Sequence, residues 1–362
     1  MKIKVEANEL NKVIGKLEKI LNKKSNMEIL GCIKLSATRD TVSLTANNLD
    51  SALVYEVYNC IIDKPGEILI HFDNFKLFSK FKNAFVHIDS SGNHVTVKCN
   101  NRMFEFKTLD PNIFPVFNQT YSKEAFTIKS AQLKEMFKIK KMCSSDITKP
   151  IFQCICINGN NAWACNTYHG VEYSLPIENK SEDEFLISQK SITELEKIID
   201  TKFDELLTVK YEEIKKIKYI SVECENWKYM CKLVGGTYMD LSKVFPKTFA
   251  TRITVNSGEL LESLDFVQEI MKGVDKPFVH LISSNKTLTL EARTVKNFSS
   301  DKLSADTYGS TIDLYFNPNY MVDGVKMVGG DNITLDFQGA LVVFGNDQER
   351  HLISAIHMAE KE

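Results

Sequence analysis

The stretch LNKVIGKLEKILNKK, residues 10–24, decides how the rest of the chain is read. Leu10, Val13, Ile14, Leu17, Ile20 and Leu21 recur at spacings of three and four, the mark of a helix that buries one face. Lys12, Lys16, Lys19 and Lys23 follow the same rhythm on another face, within roughly 60° of arc at about 100° per residue. Lys24 extends the positive end. A single stripe of this kind is ordinarily a solvated surface; what gives it meaning is that the pattern returns.

After this helix, TVSLTA from Thr41 and ALVYEV from Ala52 alternate apolar and polar residues, as strands with one buried face do. Asp73 and Asn74 then suit the cap of a second helix, with Phe75, Phe78 and Phe81 inward and Lys76, Lys80 and Lys82 elsewhere, before strands at HVTVKC and RMFEFKTL. The unit of one helix plus several strands restarts at SAQLKEMFKIKKMC, where Leu133, Met136 and Phe137 lie inward and Lys134, Lys138 and Lys141 outward. Its companion helix carries Ile192, Leu195, Ile198 and Ile199, with Lys197 outside. A third copy opens at Ser257 on Leu260, Leu264, Val267 and Met271, and closes on FNPNYMVDGVKMV, where Asn317 and Pro318 suit the N-cap and first helical position. Helix positions Leu10, Leu133 and Leu260 lie about 125 residues apart, a domain-sized period. The expected fold is therefore α+β, three similar domains of two helices against antiparallel sheets, at residues 1–120, 121–247 and 248–362. The Pro- and aromatic-bearing joints LDPNIFPVFNQTY and TYMDLSKVFPKTF mark the boundaries.

The composition sets limits. The 362 residues are 43% hydrophobic and 25% charged, with no apolar run long enough to span a membrane. The N-terminus lacks the apolar segment of a secretory signal, and nine scattered cysteines suit reduced thiols, so the chain is expected in the cytoplasm. A net charge of −2 argues against nucleic acid as a partner only on average, because the lysines are gathered on helices while the acids lie elsewhere.

Local segments carry a resemblance. MEILGCIKL at Met27 and KPIFQCICI at Lys149 resemble the P-I-L-x-x-I and R-P-I-L-x-G-V-x-F segments of the bacterial sliding clamps, the beta subunits of DNA polymerase III. CNTYHGVEYSLPI at Cys165 is similar to that family's A-T-D-G-H-R-L-A segment, TYMDLSKVFP to its F-P-D-Y-x-x-V-x-P joint, FNPNYMVDGVKMV to F-N-x-x-Y-L-x-D-x-L, and HLISAIHM to the terminal Y-x-x-M-P-x-R. The resemblance runs over essentially the whole chain in family order. It implies the DNA clamp fold and a head-to-tail homodimeric ring that encircles duplex DNA without sequence preference. Such a ring slides, tethering the replicative polymerase, the clamp loader and repair proteins through short peptide motifs.

Carried over by position, the peptide groove would comprise Phe152, Asn166, His169, Gly170, Val171, Met239, Lys243, Val244, Asn317, Tyr320, Leu341, Leu352, Ser354, Ala355 and Ile356, of which about half read equally as core positions. DNA contacts are expected first at Lys12, Lys16, Lys19, Lys23, Lys24, Lys76 and Lys80, then at Lys134, Lys138, Lys141 and Lys197. The first helix of the third copy instead carries Glu259, Glu262, Asp265 and Glu269, so its lining is thin in positive charge. The ring joint is expected between Phe104, Phe106 and Leu109 of one chain and Ile270 and Met271 of its partner. The family's arginines are missing where Gly170 and His357 stand, and the tail gains an acidic end from Ala359 to Glu362, so peptide preference is expected to differ.

Two other readings compete. Cys154, Cys156, Cys165 and His169 offer soft ligands for zinc, or a thiol with its base, as in a metal-dependent hydrolase. Cys154 and Cys156, however, alternate within an apolar strand, as buried structural thiols do. Pairs such as Glu212 with Glu213 and Asp183 with Glu184 read as solvated turns. No catalytic residue, cofactor or metal is expected. The third reading is a clamp-like scaffold that binds proteins but no DNA.

Overall fold

The computed structural model describes residues 1–22, 25–117, 120–200, 202 and 204–357. The chain forms two compact units, Met1–Phe137 with Ile177–Gly235, and Lys138–Pro176 with Gly236–Glu362.

Among the described residues one local plan recurs six times: a strand runs directly into a helix. It gives α1 (Ala7–Ile20) after Lys2–Glu6, α2 (Phe72–Lys76) after Gly66–His71, α3 (Ser130–Met136) after Lys123–Lys129, α4 (Gln189–Ile198) after Phe185–Ser188, α5 (Ser257–Ile270) after Thr251–Asn256 and α6 (Pro318–Val328) after Asp313–Phe316. Polar residues at the switch make the turn, since a side-chain acceptor satisfies an otherwise unpaired helical N–H. Ser188 accepts from Ser191 N, Asn256 from Glu259 N and Asn317 from Asn319 N.

The first unit holds two antiparallel sheets. One runs Cys60–Lys64, Lys2–Glu6, Phe85–Ser91, His94–Cys99 and Arg102–Lys107, and the last of these is an open edge. The other runs Lys123–Lys129, Leu206–Ile214, Ile217–Glu223, Trp227–Lys232, Ser51–Val57, Val42–Asn47, Cys32–Ala37 and Gly66–His71. Helix α1 lies on strands of both sheets and against α4, burying Leu10, Val13, Leu17 and Ile20.

The second unit is built on one antiparallel run: Cys154–Asn158, Asn161–Cys165, His169–Ser174, Glu349–Ser354, Leu341–Gly345, Asn332–Gln338, Thr251–Asn256, Phe298–Gly309, Thr287–Arg293, Val279–Ser284 and Asp313–Phe316. Phe298–Gly309 serves two neighbours, pairing by its first half with Thr287–Arg293 and by its second with Thr251–Val255. Helices α5 and α6 pack together over a core of Leu260, Leu264, Val267, Met321 and Val325.

Three sequence expectations change. Helix α1 stops at Ile20, because Asn48 Nδ2 donates to the Ile20 carbonyl at 2.9 Å and Leu21 is extended. The cap of α2 is His71, whose Nδ1 accepts from Asp73 N, in place of Asp73 or Asn74, and that helix tightens after one turn into a 3₁₀ segment, Leu77–Lys80. The helix at Ser130 likewise ends at Met136 and continues as 3₁₀ turns from Phe137 to Met142.

Candidate functional site

In the second unit, His169–Ser174 pairs with Glu349–Ser354 so that Gly170 faces Leu352 and Val171 faces His351. Because successive side chains alternate across a strand, the candidate groove residues separate onto two faces. His169 and Val171 share a face with His351 and Ile353, packed beneath α6. Gly324 makes that packing possible: a Cβ there would lie 2.7 Å from the Phe344 ring and 3.3 Å from His351 Nδ1. Gly170 and Leu352 belong to the opposite face, where the Leu241 methyls come within 3.6 Å of a Cβ built on Gly170.

The 240–245 segment lies over this second face. Asp240 caps the turn Leu241–Lys243 by accepting from Ser242 N, and also pairs with Lys243 Nζ at 3.0 Å. Arg350 clamps the segment from below: its guanidinium lies 4.7 Å from the centre of the Phe245 ring while it donates to Glu172 Oε1 at 2.6 Å. Trp163 Nε1 donates to the other oxygen of Glu172 at 3.1 Å. Met239 and Val244 are left exposed beside these partners, at 39% each, and Phe152 stacks edge-on against Tyr238 at 5.9 Å. Leu341 and Ser354 pair across neighbouring strands and are half-buried.

On the α6 side, Asn166 Oδ1 accepts from Tyr168 N and His169 N, closing a loop in which Thr167 takes φ 81°. The Asn166 side chain also bonds the Tyr320 hydroxyl, whose pKa is raised chiefly by burial. Ile356 N donates to the Tyr315 carbonyl, bringing the tail to the strand that precedes Asn317, and Ala355 N donates to Ala340 O. Sequence missed His351. It is 0% exposed, and its Nδ1 lies 3.0 Å from His169 Nε2. Burial, and then the neighbouring His351, hold the His169 pKa well below the ordinary histidine value.

The lysines sort by what they touch. Lys12 pairs with Glu9 at 2.6 Å, and Lys16 lies half-buried with its ammonium 5.9 Å from the centre of the Tyr55 ring. Burial lowers the Lys16 pKa against the pull of Asp200 and Glu205. Lys19 and Lys197 line a shallow cavity of about 450 Å³, together with Lys190, which is not among the lysines expected from sequence. Lys76, Lys80, Lys138 and Lys141 are exposed and Lys134 is half-buried, while Lys23 and Lys24 lie outside the described residues, as does the acidic end after His357. The acidic residues of α5 are exposed, and Asp265 holds Lys326 at 3.1 Å.

Residues 1–118 match the family model of the DNA polymerase III beta subunit N-terminal domain, and residues 242–359 that of its C-terminal domain. The chain belongs to the bacterial DNA polymerase III beta subunits, the sliding clamps. It is 24% identical over 369 residues to the beta sliding clamp of Bacillus subtilis (strain 168), covering 95% of each chain. The crystal structure of the Bacillus subtilis DNA polymerase sliding clamp superposes with a TM-score of 0.90 at 21% identity, over 99% of this chain and 100% of that one. That of the DNA polymerase III subunit beta from Pseudomonas aeruginosa also gives 0.90, at 17% identity and the same coverage. The α+β clamp fold of three similar domains, expected from sequence, is the fold of this chain.

In this clamp the expected ring-joint residues stand on unequal footing. Phe104 and Phe106 stack at 5.9 Å on the open edge strand Arg102–Lys107, Phe104 also meeting Phe78 and Phe81, and Leu109 packs beside Phe114. Met271 is 2% exposed, inside the core, whereas Ile270 lines a cavity of about 700 Å³ with Val274, Phe278 and Val295. One step along the end of a helix turns a side chain by about 100°, which is why neighbours in sequence differ so much in access.

The candidate thiols Cys154, Cys156 and Cys165 are buried. Cys154 donates to the Pro150 carbonyl and burial pushes its pKa up to about 12; Cys165 accepts from Thr167 N and is raised for the same first reason. Among the described residues no group of three or more His, Cys, Asp or Glu side chains could hold a metal ion. Glu212 is held low by Ser122, and Asp183 by Lys218, so these carboxylates are surface partners.

Proposed function

We infer that this chain is a DNA polymerase processivity factor: two copies close head to tail into a ring around duplex DNA, which slides and tethers the polymerase. The observation that carries this reading is that both ends of the chain match one family's terminal domains while the whole chain shares its fold. Domain boundaries are placed near Tyr121 and Thr248. For ring closure, the open edge strand with Phe104 and Phe106 offers unpaired backbone groups and stacked rings, and the cavity at Ile270, Val274, Phe278 and Val295 offers an apolar receiver. Sequence-independent DNA contact is assigned first to Lys19 and Lys197, then to Lys12, Lys16, Lys76, Lys80, Lys134, Lys138 and Lys141.

Peptide motifs of the polymerase, the loader and repair proteins are placed on the face of Gly170, Leu352, Leu341, Met239 and Val244. The Asn166 loop and the Ser354–Ile356 tail border that face at one end of the paired strands, with Tyr320 behind the loop on the α6 side. Apolar walls with a few polar anchors suit an extended peptide. The protein is assigned no catalysis: burial raises the pKa of Cys154 and Cys165, and Glu212 and Asp183 are tied to Ser122 and Lys218. A cytoplasmic place follows from this role, and no helix among the described residues is long and apolar enough to cross a membrane.

The test is retention. Loaded onto nicked circular DNA by a clamp loader, the protein stays bound at moderate salt until the circle is cut. Equal loss from circular and linear DNA would overturn encirclement. Reversal of Lys12, Lys16 and Lys19 to Glu lowers loading; unchanged loading favours a scaffold that ignores DNA.

A further inference from the structure

Two strand pairings in this chain follow one plan, one in each unit. In the first unit, Ser51–Val57 pairs with Trp227–Lys232, setting Cys231 opposite Ser51 and Tyr229 opposite Leu53. In the second, Ile353 lies opposite His169 and His351 opposite Val171. Each pairing opens on an asparagine loop, at Asn48 and at Asn166. By register, His169 takes the place of Ser51, and His351 that of Tyr229.

The polar groups at these matched positions are joined differently. In the first unit Glu194 of α4 accepts from Ser51 Oγ at 2.6 Å and from the Tyr229 hydroxyl at 2.9 Å. In the second the two imidazoles meet directly at 3.0 Å, both buried. Two ring nitrogens at that distance bond only when one carries a proton and the other does not. The Glu349 carboxylate, 3.8 Å from His351 Nε2, favours a proton on that nitrogen, so His169 Nε2 donates and His351 Nδ1 accepts. The other titratable groups facing the pair are Tyr320 of α6, at 5.7 Å between rings, and Tyr173, which lies opposite Glu349 along the strands; Phe344 stacks on His351.

An added proton has two places to go. On His351 Nδ1 it sets one N–H against another and breaks the bridge. On His169 Nδ1 it leaves a cation among buried rings, at high cost in desolvation. Either outcome is relieved when the Asn166–His169 loop moves toward water.

We propose that the His169–His351 bridge makes peptide capture by this chain acid-sensitive: the neutral pair holds the Asn166–Tyr168 loop for binding, and uptake of one proton releases loop and peptide together. His351 is thus a positioning residue, acting through His169. This rests on the groove reading given above.

The experiment is fluorescence anisotropy of a labelled, histidine-free peptide copied from the clamp-contacting segment of a bacterial replicative polymerase, titrated from about pH 8 down to the lowest pH at which the protein keeps its fold, because burial sets proton uptake by His169 below the ordinary histidine range. Affinity of the unaltered protein falls toward tenfold per pH unit below the midpoint of the pair. In His351→Tyr the hydroxyl faces His169 Nε2 and one imidazole is left to take up the proton, so the fall in affinity moves to a different pH from that of the unaltered protein. Glu349→Gln, which removes the nearest negative charge, moves the midpoint to lower pH and covers the case in which the tyrosine variant does not fold. A pH profile unchanged in both variants, or flat in the unaltered protein, overturns this proposal alone. Absence of capture at every pH overturns the groove reading with it.

Discussion

Glu194 is the most deeply placed carboxylate whose removal can be worked through donor by donor. It accepts from Asn48 Nδ2 at 3.2 Å, Ser51 Oγ at 2.6 Å and the Tyr229 hydroxyl at 2.9 Å. Each donor has a second partner: Asn48 Nδ2 reaches the Ile20 carbonyl, Ser51 Oγ reaches Asn48 Oδ1, and the Tyr229 hydroxyl reaches the Ser191 carbonyl. Glu194→Ala therefore orphans no donor outright. It removes one methylene at about 0.8 kcal/mol and leaves weaker hydrogen bonds at about 1 kcal/mol together, for a loss near 2 kcal/mol. For a unit of this size that is a fall in melting temperature of roughly 4–8 °C for the transition of the first unit. Glu194→Gln keeps an oxygen for Asn48, and its NH₂ donates to hydroxyls that turn to Asn48 Oδ1 and Ser191 O, so its cost is near zero at neutral pH. The pH dependence separates them further. Burial raises the Glu194 pKa above 4.5, so the folded form holds its proton longer than the unfolded form. Stability is then greatest below about pH 4.5 and declines as pH rises through the folded-state value. Calorimetry of the three proteins across that range checks this. A glutamine variant less stable than the alanine one, or a decline from this site that survives in Glu194→Gln, refutes the reasoning.

Gly324→Ala drives a methyl group to 2.7 Å from the Phe344 ring, so α6 must lift; a loss of about 1–3 kcal/mol is expected, seen as a lower melting temperature of the second unit. Phe104→Asp puts a charge among stacked rings on the open edge strand and shifts sedimentation toward the monomer without unfolding the chain. If Lys19 and Lys197, which line one cavity, each contact a phosphate as proposed, their joint replacement by Gln lowers the slope of log affinity against log salt by about 1.8, read from DNA binding at several salt concentrations.

Much of the fold was legible because burial repeats with the period of the element. The inward residues of α1, α4 and α5 lie where the three-and-four spacing puts them, and the Asn317–Pro318 start of α6 is as its caps require. Helix ends were not legible. The stop at Ile20 is made by Asn48, 28 positions on, and sequence spacing carries no sign of such a partner. The groove was named position by position, and that procedure ignores alternation: His169 and Gly170 are neighbours in sequence but belong to opposite faces. Met271 and Ile270 differ for the helical equivalent of the same reason. His351 did carry a signal, since HLIS alternates and sets it two residues before Ile353 on the buried face, yet nothing local announces that an imidazole from residue 169 will meet it.

The charge distribution bears on how such a protein holds DNA. Lys12 is partly neutralised by Glu9, Lys326 by Asp265 and Lys190 by Asp50, while Lys16 lies half-buried over the Tyr55 ring. Lys19, Lys76, Lys80, Lys141 and Lys197 carry no ion pair among the described residues. Five such contacts would give a salt slope of only about 4 to 5, so open binding would fade within the physiological range of salt. A chain relying on these lysines alone would be a poor DNA binder, and its net charge of −2 would weaken it further. A closed ring removes that difficulty, because a topological link is indifferent to salt as long as the joint holds. Weak phosphate contacts then become useful, since a duplex held loosely can be passed along from one lysine to the next.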